Sequence, residues 1–289
     1  MNIRRKPEWL RKKVNPGEQA DMRNLLGELR LNTVCQQALC PNISECFSCG
    51  QATFLILGTR CTRQCSFCNV DKALPEAVDS GESGRVAQAV SRLNLAHVVI
   101  TSPTRDDLED GGASWYAETV RAIRGVAPCC RVELLIPDFA GSCESLEVVA
   151  ASRPDIIAHN VETVPRLYAV RSGADFDRSL RVLSELRRLA PDIPTKSGIM
   201  LGMGEAAEEV RGVLRDLRKA GCSYLSIGQY LAPGRRHFPV QEFIPPHIFE
   251  QWRLEAMQLG FSHVESGPYV RSSYHAGKYQ QNITSPSTG

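Results

Sequence analysis

The chain has 289 residues, a formal net charge of +2, 43% hydrophobic and 23% charged residues. That length and balance predict one large α/β domain with a buried core, and they give no electrostatic reason to expect a nucleic-acid partner. No run approaches the roughly 20 apolar residues of a membrane helix. The basic start MNIRRKPEWLRKKVNPG lacks the apolar stretch of a secretory leader and carries Glu8, which fits a transit peptide poorly, so a cytoplasmic protein is expected.

In chain order, residues 18–34 read as weakly helical, and 35–49 as a Cys-rich loop with little hydrophobic periodicity. Apolar runs suited to buried strands follow at Thr53–Leu57, His97–Thr101, Val132–Ile136, Asp155–His159, Thr195–Leu201 and Tyr224–Ile227. Helical segments are expected between and after them, near 84–93, 114–126, 143–151, 162–170, 175–190 and 205–220. A further helix is expected at 247–259, and the tail NITSPSTG reads as disordered. Six strands each followed by a helix predict a partial (β/α)6 TIM-like barrel. The expected division is an N-terminal extension over 1–49, a core barrel over 50–262 and a C-terminal extension over 263–289. The strand ends carry GTRCTRQC, TSPTRDDLEDGG, HNVE, GMGE and GQY, which places the chemistry on one face.

Eleven cysteines are many for such a chain, and six of them fall within residues 35–68. In a reducing compartment, clustered cysteines point to metal ligands before disulfides. Cys61, Cys65 and Cys68 are spaced Cys-x3-Cys-x2-Cys directly after a strand. Three thiolates can hold three irons of a [4Fe–4S] cubane and leave the fourth iron open to a small molecule. The alternative is a structural zinc site, but zinc wants four closed ligands and no paired knuckle follows Cys68. This spacing, with Phe67 before the last cysteine, resembles the signature of the radical S-adenosylmethionine superfamily. The resemblance implies that the open iron binds S-adenosylmethionine and that an electron from the cluster yields a 5′-deoxyadenosyl radical.

Cys35, Cys40 and Cys46 form a second triad, Cys-x4-Cys-x5-Cys, in VCQQALCPNISECF. Upstream of the first triad, it resembles the auxiliary-cluster motif of the lipoyl synthases. The segments KPEWLRKKV, CPNISEC, ATFLILG, TRDDLEDGGA, HNVETV, TKSGIMLGMGE, IGQYLAP and GPYVRSSYHA resemble that family in the same order, over most of residues 6–277. The resemblance implies two [4Fe–4S] clusters, with Ser273 of the Arg271–Tyr274 motif RSSY as fourth auxiliary ligand. A hydroxyl oxygen is a hard ligand on iron otherwise held by soft sulfur, which suits a cluster built to be dismantled. Ser272 and Ser273 forming only a turn is the alternative.

The resemblance also implies roles for residues near S-adenosylmethionine: Gly111 and Gly112 beside the methionine amine, Glu133, Asn160 and Arg178 at ribose and carboxylate, and Gly198-Ile199-Met200 at adenine. Cys61, Cys65, Cys68 and Ser273 are the expected catalytic set. His159 receives no role, since hydrogen-atom abstraction needs no base at carbon. Cys49, Cys129, Cys130, Cys143 and Cys222 are read as non-ligands. SPTRDDL stands where SVDRDDL is usual, and ILGTRC where ILGDTC is usual; both changes are expected to act on loop geometry and neither on a ligand. The implied reaction is insertion of two sulfurs at C6 and C8 of an octanoyl chain amide-linked to a carrier lysine. The carrier would be a 2-oxoacid dehydrogenase E2 domain or a glycine cleavage H protein. Electrons would come from flavodoxin or ferredoxin, and an iron–sulfur cluster carrier would rebuild the auxiliary site. Arg4, Arg5, Lys6, Arg11, Lys12 and Lys13 are expected to steer an acidic carrier or to be a solvated tail. Two other readings stand beside this one: another sulfur-inserting radical enzyme, of methylthiolating or biotin type, and an electron-carrying or zinc-stabilised binding module.

Overall fold

The computed structural model describes residues 6–11, 20–48, 51–274 and 276. Arg4, Arg5, Lys12, Lys13, Cys49 and the tail lie outside the described residues. Seven strands run parallel and in chain order: β2 (Thr53–Leu55), β3 (His97–Thr101), β4 (Arg131–Leu135), β5 (Ile156–Ala158), β6 (Thr195–Leu201), β7 (Tyr224–Gln229) and β8 (His263–Gly267). A short β1 (Asn32–Thr33) pairs antiparallel with β2, Asn32 opposite Leu55. The six expected strands are therefore present as β2–β7, and β1 and β8 extend the sheet without closing it. β8 falls in the stretch expected as a C-terminal extension, yet it pairs with β7 along five residues. Its sequence, HVESG, is too polar to stand out as a buried strand.

The crossovers are amphipathic helices: α4 (Glu82–Arg92), α5 (Ala113–Val126), α6 (Cys143–Ala151), α7 (Phe176–Leu189), α8 (Ala207–Lys219) and α9 (Pro246–Gln258). α8 buries Val210, Val213, Leu214 and Leu217, a single helical stripe, and shows arginines and glutamates to solvent. Asp175 opens α7 by accepting the Arg178 N–H at 2.7 Å, and Ser142 opens α6 by accepting that of Ser145 at 3.1 Å. The helix expected at 162–170 is instead a 3-10 segment, Pro165–Val170. Pro165 disfavours the α conformation at Val164, which is extended (ψ 155°). The expected loop 35–49 contains two short helices, α2 (Val34–Gln37) and α3 (Ile43–Ser48). One or two turns are too short to show a hydrophobic period. A further helix, α1 (Ala20–Glu28), buries Met22, Leu25 and Leu26 against the core.

Candidate active site

The chain leaving β2 is held at many points. Leu57 N–H donates to Glu82 Oε2 at 2.7 Å, and Arg105 Nη1 donates to the Leu57 carbonyl at 2.8 Å. Beyond them, Cys61 N–H reaches the Asp71 carbonyl at 2.8 Å and Ser66 N–H that of Val170, also at 2.8 Å. Arg63, between the first two cysteines, is buried and forks onto two carboxylates. It donates to Asp106 at 2.8 and 2.9 Å and to Asp138 at 2.6 and 3.0 Å. Asp106 and Asp138 follow β3 and β4, so one guanidinium ties the Cys61–Cys68 loop across neighbouring strand ends. The backbone N–H groups of Arg63 and Val70 point at Sγ of Cys61 (3.4 Å) and Cys68 (3.5 Å). Burial pushes the Cys68 thiol up to about 11, so binding of iron there must displace its proton. The two departures from the usual loop sequence are absorbed by the backbone and by surface charge. Thr104 uses its carbonyl to accept from Thr62 N–H and Oγ1, both at 3.0 Å, and Arg60 lies 3.6 Å from the carboxylates of Asp71 and Glu76.

Beneath this loop lies a cavity of about 450 Å³, a size typical of small-molecule sites. Its wall includes Phe67, Cys68, Cys35, Cys40, Ser273, Asn160, Glu162, Gly198, Met200 and Ser226. Asn160 Nδ2 is engaged by Ser272 Oγ (2.5 Å) and Glu162 Oε1 (3.1 Å), while its Oδ1 is buried without a partner. A Cβ on Gly198 would stand 2.8 Å from Asn160 Oδ1 and 2.7 Å from Ser226 Oγ. Glycine thus keeps this part of the wall open beside an unsatisfied acceptor, which fits a polar small molecule with a hydrogen-bond donor such as S-adenosylmethionine. Glu162, which sequence reasoning passed over as one letter of HNVE, is half-buried with a φ of 65°, and desolvation pushes its carboxyl up. That strain is invisible in the sequence.

Four of the expected cofactor residues lie elsewhere. Gly111 and Gly112 adopt φ of 62° and 94° ahead of α5, where added Cβ atoms would meet Phe139 at 2.9 Å and Leu57 at 2.3 Å. They let α5 dock against the barrel and are absent from the cavity wall. Glu133 is fully buried on β4, bonded to Lys196 Nζ at 2.9 Å with His97 at 3.5 Å, so its charge is spent inside the barrel. Arg178 turns to Asp138 (3.3 Å) and the Gly173 carbonyl (3.1 Å). Only Asn160 of the five reaches the cavity. His159 is bracketed by the Ile136 carbonyl and Ser179 Oγ, and burial pushes its pKa down to about 4, so it is a neutral structural residue near pH 7.

A second cavity, of about 540 Å³, is walled by Cys35, Cys40, Cys46 and Ser273 together. Thr53 Oγ1 donates to Ser273 Oγ at 2.7 Å, while the neighbouring Ser272 faces Asn160 instead. Three soft sulfurs and one hydroxyl around a single space fit an iron–sulfur cubane. Asn42 Nδ2 donates to the Tyr269 carbonyl (2.7 Å) and Tyr274 Oη to Glu45 (3.0 Å), stitching the Cys-rich helices to the C-terminal segment. Thr53, His97 and Arg131, the first residues of β2, β3 and β4, share this wall. The second triad therefore opens toward the N-terminal ends of the strands. Cys129, Cys130, Cys143 and Cys222 lie outside both walls.

The C-terminal segment is seated by a close approach: a Cβ on Gly228 would fall 2.2 Å from the Val270 carbonyl oxygen. Gly228→Ala should displace Val270–Ser273, costing about 1–3 kcal/mol of stability. It should lower bound iron toward four per chain while S-adenosylmethionine cleavage persists. Iron and sulfide assays with cleavage kinetics would check this.

Residues 55–217 match the radical SAM superfamily. Over 280 residues the chain is 68% identical to a lipoyl synthase of Trichlorobacter lovleyi, covering 96% of this chain and all of that one. It is 66% identical over 283 residues to a lipoyl synthase of Geobacter metallireducens, covering 98% and 100%. The chain belongs to the lipoyl synthase family. Among solved structures, methylornithine synthase shares the fold with a TM-score of 0.56 at 15% identity, over 88% of this chain and 82% of that one. Streptococcus suis SuiB bound to S-adenosylmethionine does so with 0.57 at 12%, over 86% and 60%. As a lipoyl synthase family member the chain is a sulfur-inserting radical enzyme that uses S-adenosylmethionine and two [4Fe–4S] clusters. Among its described residues no helix is long and apolar enough to cross a membrane.

Proposed function

We propose that the chain converts a carrier-bound octanoyl-lysine to the lipoyl group, with Cys61, Cys65 and Cys68 holding the radical cluster and Cys35, Cys40, Cys46 and Ser273 the auxiliary one. The observation that carries this reading is one cavity whose wall includes Cys68 together with Cys35, Cys40 and Ser273. When bound, the first cluster supplies the electron that cleaves S-adenosylmethionine, and the second supplies the sulfur.

The chain's own residues position and enclose. Asn160 Oδ1 accepts a hydrogen bond from S-adenosylmethionine, and Gly198 leaves room for it. Phe67, Leu135, Ile199, Met200 and Val270 give the cavity an apolar wall that accepts an alkyl chain and excludes water. An alkyl chain fixed at its carrier end presents both target carbons within one enclosed space, which favours the second insertion by proximity. The Ser273 hydroxyl, held by Thr53, would be the hardest and weakest of the four donors to an auxiliary cluster. A cytoplasmic setting, an electron donor such as flavodoxin or ferredoxin and an iron–sulfur cluster carrier complete the proposal.

The test is mass spectrometry of an octanoyl-lysine peptide after anaerobic reaction with reconstituted protein. A gain of two sulfurs on the octanoyl chain is expected. Methylthiolation, or zinc without sulfide in the purified protein, would refute the reading.

A further inference from the structure

The loop leaving β7 brings two cations beside the first cavity. Leu231, Ala232 and Pro233 line that cavity, and the next four residues form a turn closed by His237 N–H on the Gly234 carbonyl at 3.1 Å. The turn is fixed to the Cys61–Cys68 loop by Phe238 N–H on the Ser66 carbonyl (2.9 Å), and Tyr230 Oη holds the Phe238 carbonyl (2.6 Å). Arg235 and Arg236 stand exposed at its tip, and neither has a carboxylate partner among the described residues. Several exposed arginines elsewhere are paired with acids, Arg92 with Glu28, Arg153 with Asp192 and Arg166 with Glu209. Lys6, also exposed, lines the same cavity. Two adjacent like charges on a rigid tip repel each other and gain from an anionic surface brought against them.

We propose that the Gly234–His237 turn is the docking contact for the acylated carrier, through carboxylates on the carrier surface around its acyl-lysine. This rests on the proposed function: an acyl chain inside the cavity is attached to a protein, whose surface then covers the residues at the cavity mouth. Rim charges of this kind act on the association rate and its salt dependence, with the apolar cavity setting dissociation.

The experiment is stopped-flow association of the reconstituted holoenzyme with an octanoylated carrier domain, at low salt and at about 0.15 M, where the Debye length is about 8 Å. The wild type should associate more slowly as salt rises. Arg235→Glu/Arg236→Glu should lower the low-salt association rate by about tenfold or more and flatten its salt dependence, with iron content and S-adenosylmethionine binding unchanged. Arg121→Glu/Lys219→Glu, an equal charge change on α5 and α8, should leave the rate within about twofold, as expected of charges distant from the contact. Equal rates for the two double variants, or no association by the wild type, would overturn the docking proposal. Salt-sensitive association without sulfur transfer would leave docking standing and remove the functional reading. Sulfur transfer with wild-type association by the Arg235/Arg236 variant would do the reverse.

Discussion

Cys68→Ala is expected to abolish S-adenosylmethionine cleavage, lowering the rate by at least about a thousandfold, equivalent to roughly 4 kcal/mol of barrier. Cys68 lines the cavity itself, and its loop is pinned by Arg63, Ser66 and Phe238, so nothing else in the loop can move in to replace its sulfur. Two remaining thiols are too few to hold a cubane. The other triad stands on α2, α3 and the turn between them and should keep its cluster, so bound iron should fall from about eight to about four per chain. The paired measurement is release of 5′-deoxyadenosine together with iron and sulfide content. Retained 5′-deoxyadenosine formation would sink the assignment of Cys68, and loss of all iron would show that the two sites do not assemble independently.

Lys196→Met should destabilise the fold by roughly 3–5 kcal/mol, because it leaves a charged group buried without its main partner. Lys196 and Glu133 are each essentially inaccessible to solvent and bonded at 2.9 Å, and the remaining neighbour, His97, is at 3.5 Å. Burial works against the Glu133 carboxylate, but Lys196 and His97 hold it below the ordinary carboxylate range. In the wild type its contribution is therefore present above the unfolded carboxylate pKa and lost as pH falls through the lower folded one. In Lys196→Met burial wins, the folded carboxyl rises above its unfolded value, and the sign reverses: the variant should regain stability as the pH is lowered from 7 toward 5. Glu133→Leu/Lys196→Met should recover most of the loss, since no unpaired charge remains. Denaturant unfolding at the two pH values checks all three statements. A Lys196→Met variant as stable as wild type at pH 7 would show that water reaches the pair.

The Cys61–Cys68 triad was legible because its three donors lie within one loop of eight residues, and spacing alone constrains them to one place. The strands β3 and β6 match the expected residues, β3 because HVVIT is a near-continuous apolar run, whereas β6 opens on buried Thr195, Lys196 and Ser197 before its apolar end. β8 was not, having a half-buried face and acidic and histidine side chains that pair within the barrel, His263 with Glu265 at 3.0 Å. The residues that fall outside the cavity wall share one feature. Gly111, Gly112, Glu133 and Arg178 are residue types that serve equally well as cofactor contacts or as packing and ion-pair groups. Only the position of Phe139, Leu57, Lys196 and Asp138 shows which use each one has. Asn160 and Glu162 show the converse, ordinary polar residues made special by an unpaired oxygen and a left-handed backbone.

By itself, then, the sequence determined the local parts: two triads of thiolate donors, a run of βα units, and the resemblance that tied them to one family. The resemblance singled out Ser273; the tertiary structure puts Ser273, and not Ser272, on the cavity wall shared by Cys35, Cys40 and Cys46, with Thr53 bonded to it and the bare Cα of Gly228 against Val270. It also placed that triad toward the strand N-termini while one cavity still reaches both triads. The division is physical: spacing restricts donors that share a loop, whereas donors hundreds of residues apart meet only where sheet order and close backbone contact bring them.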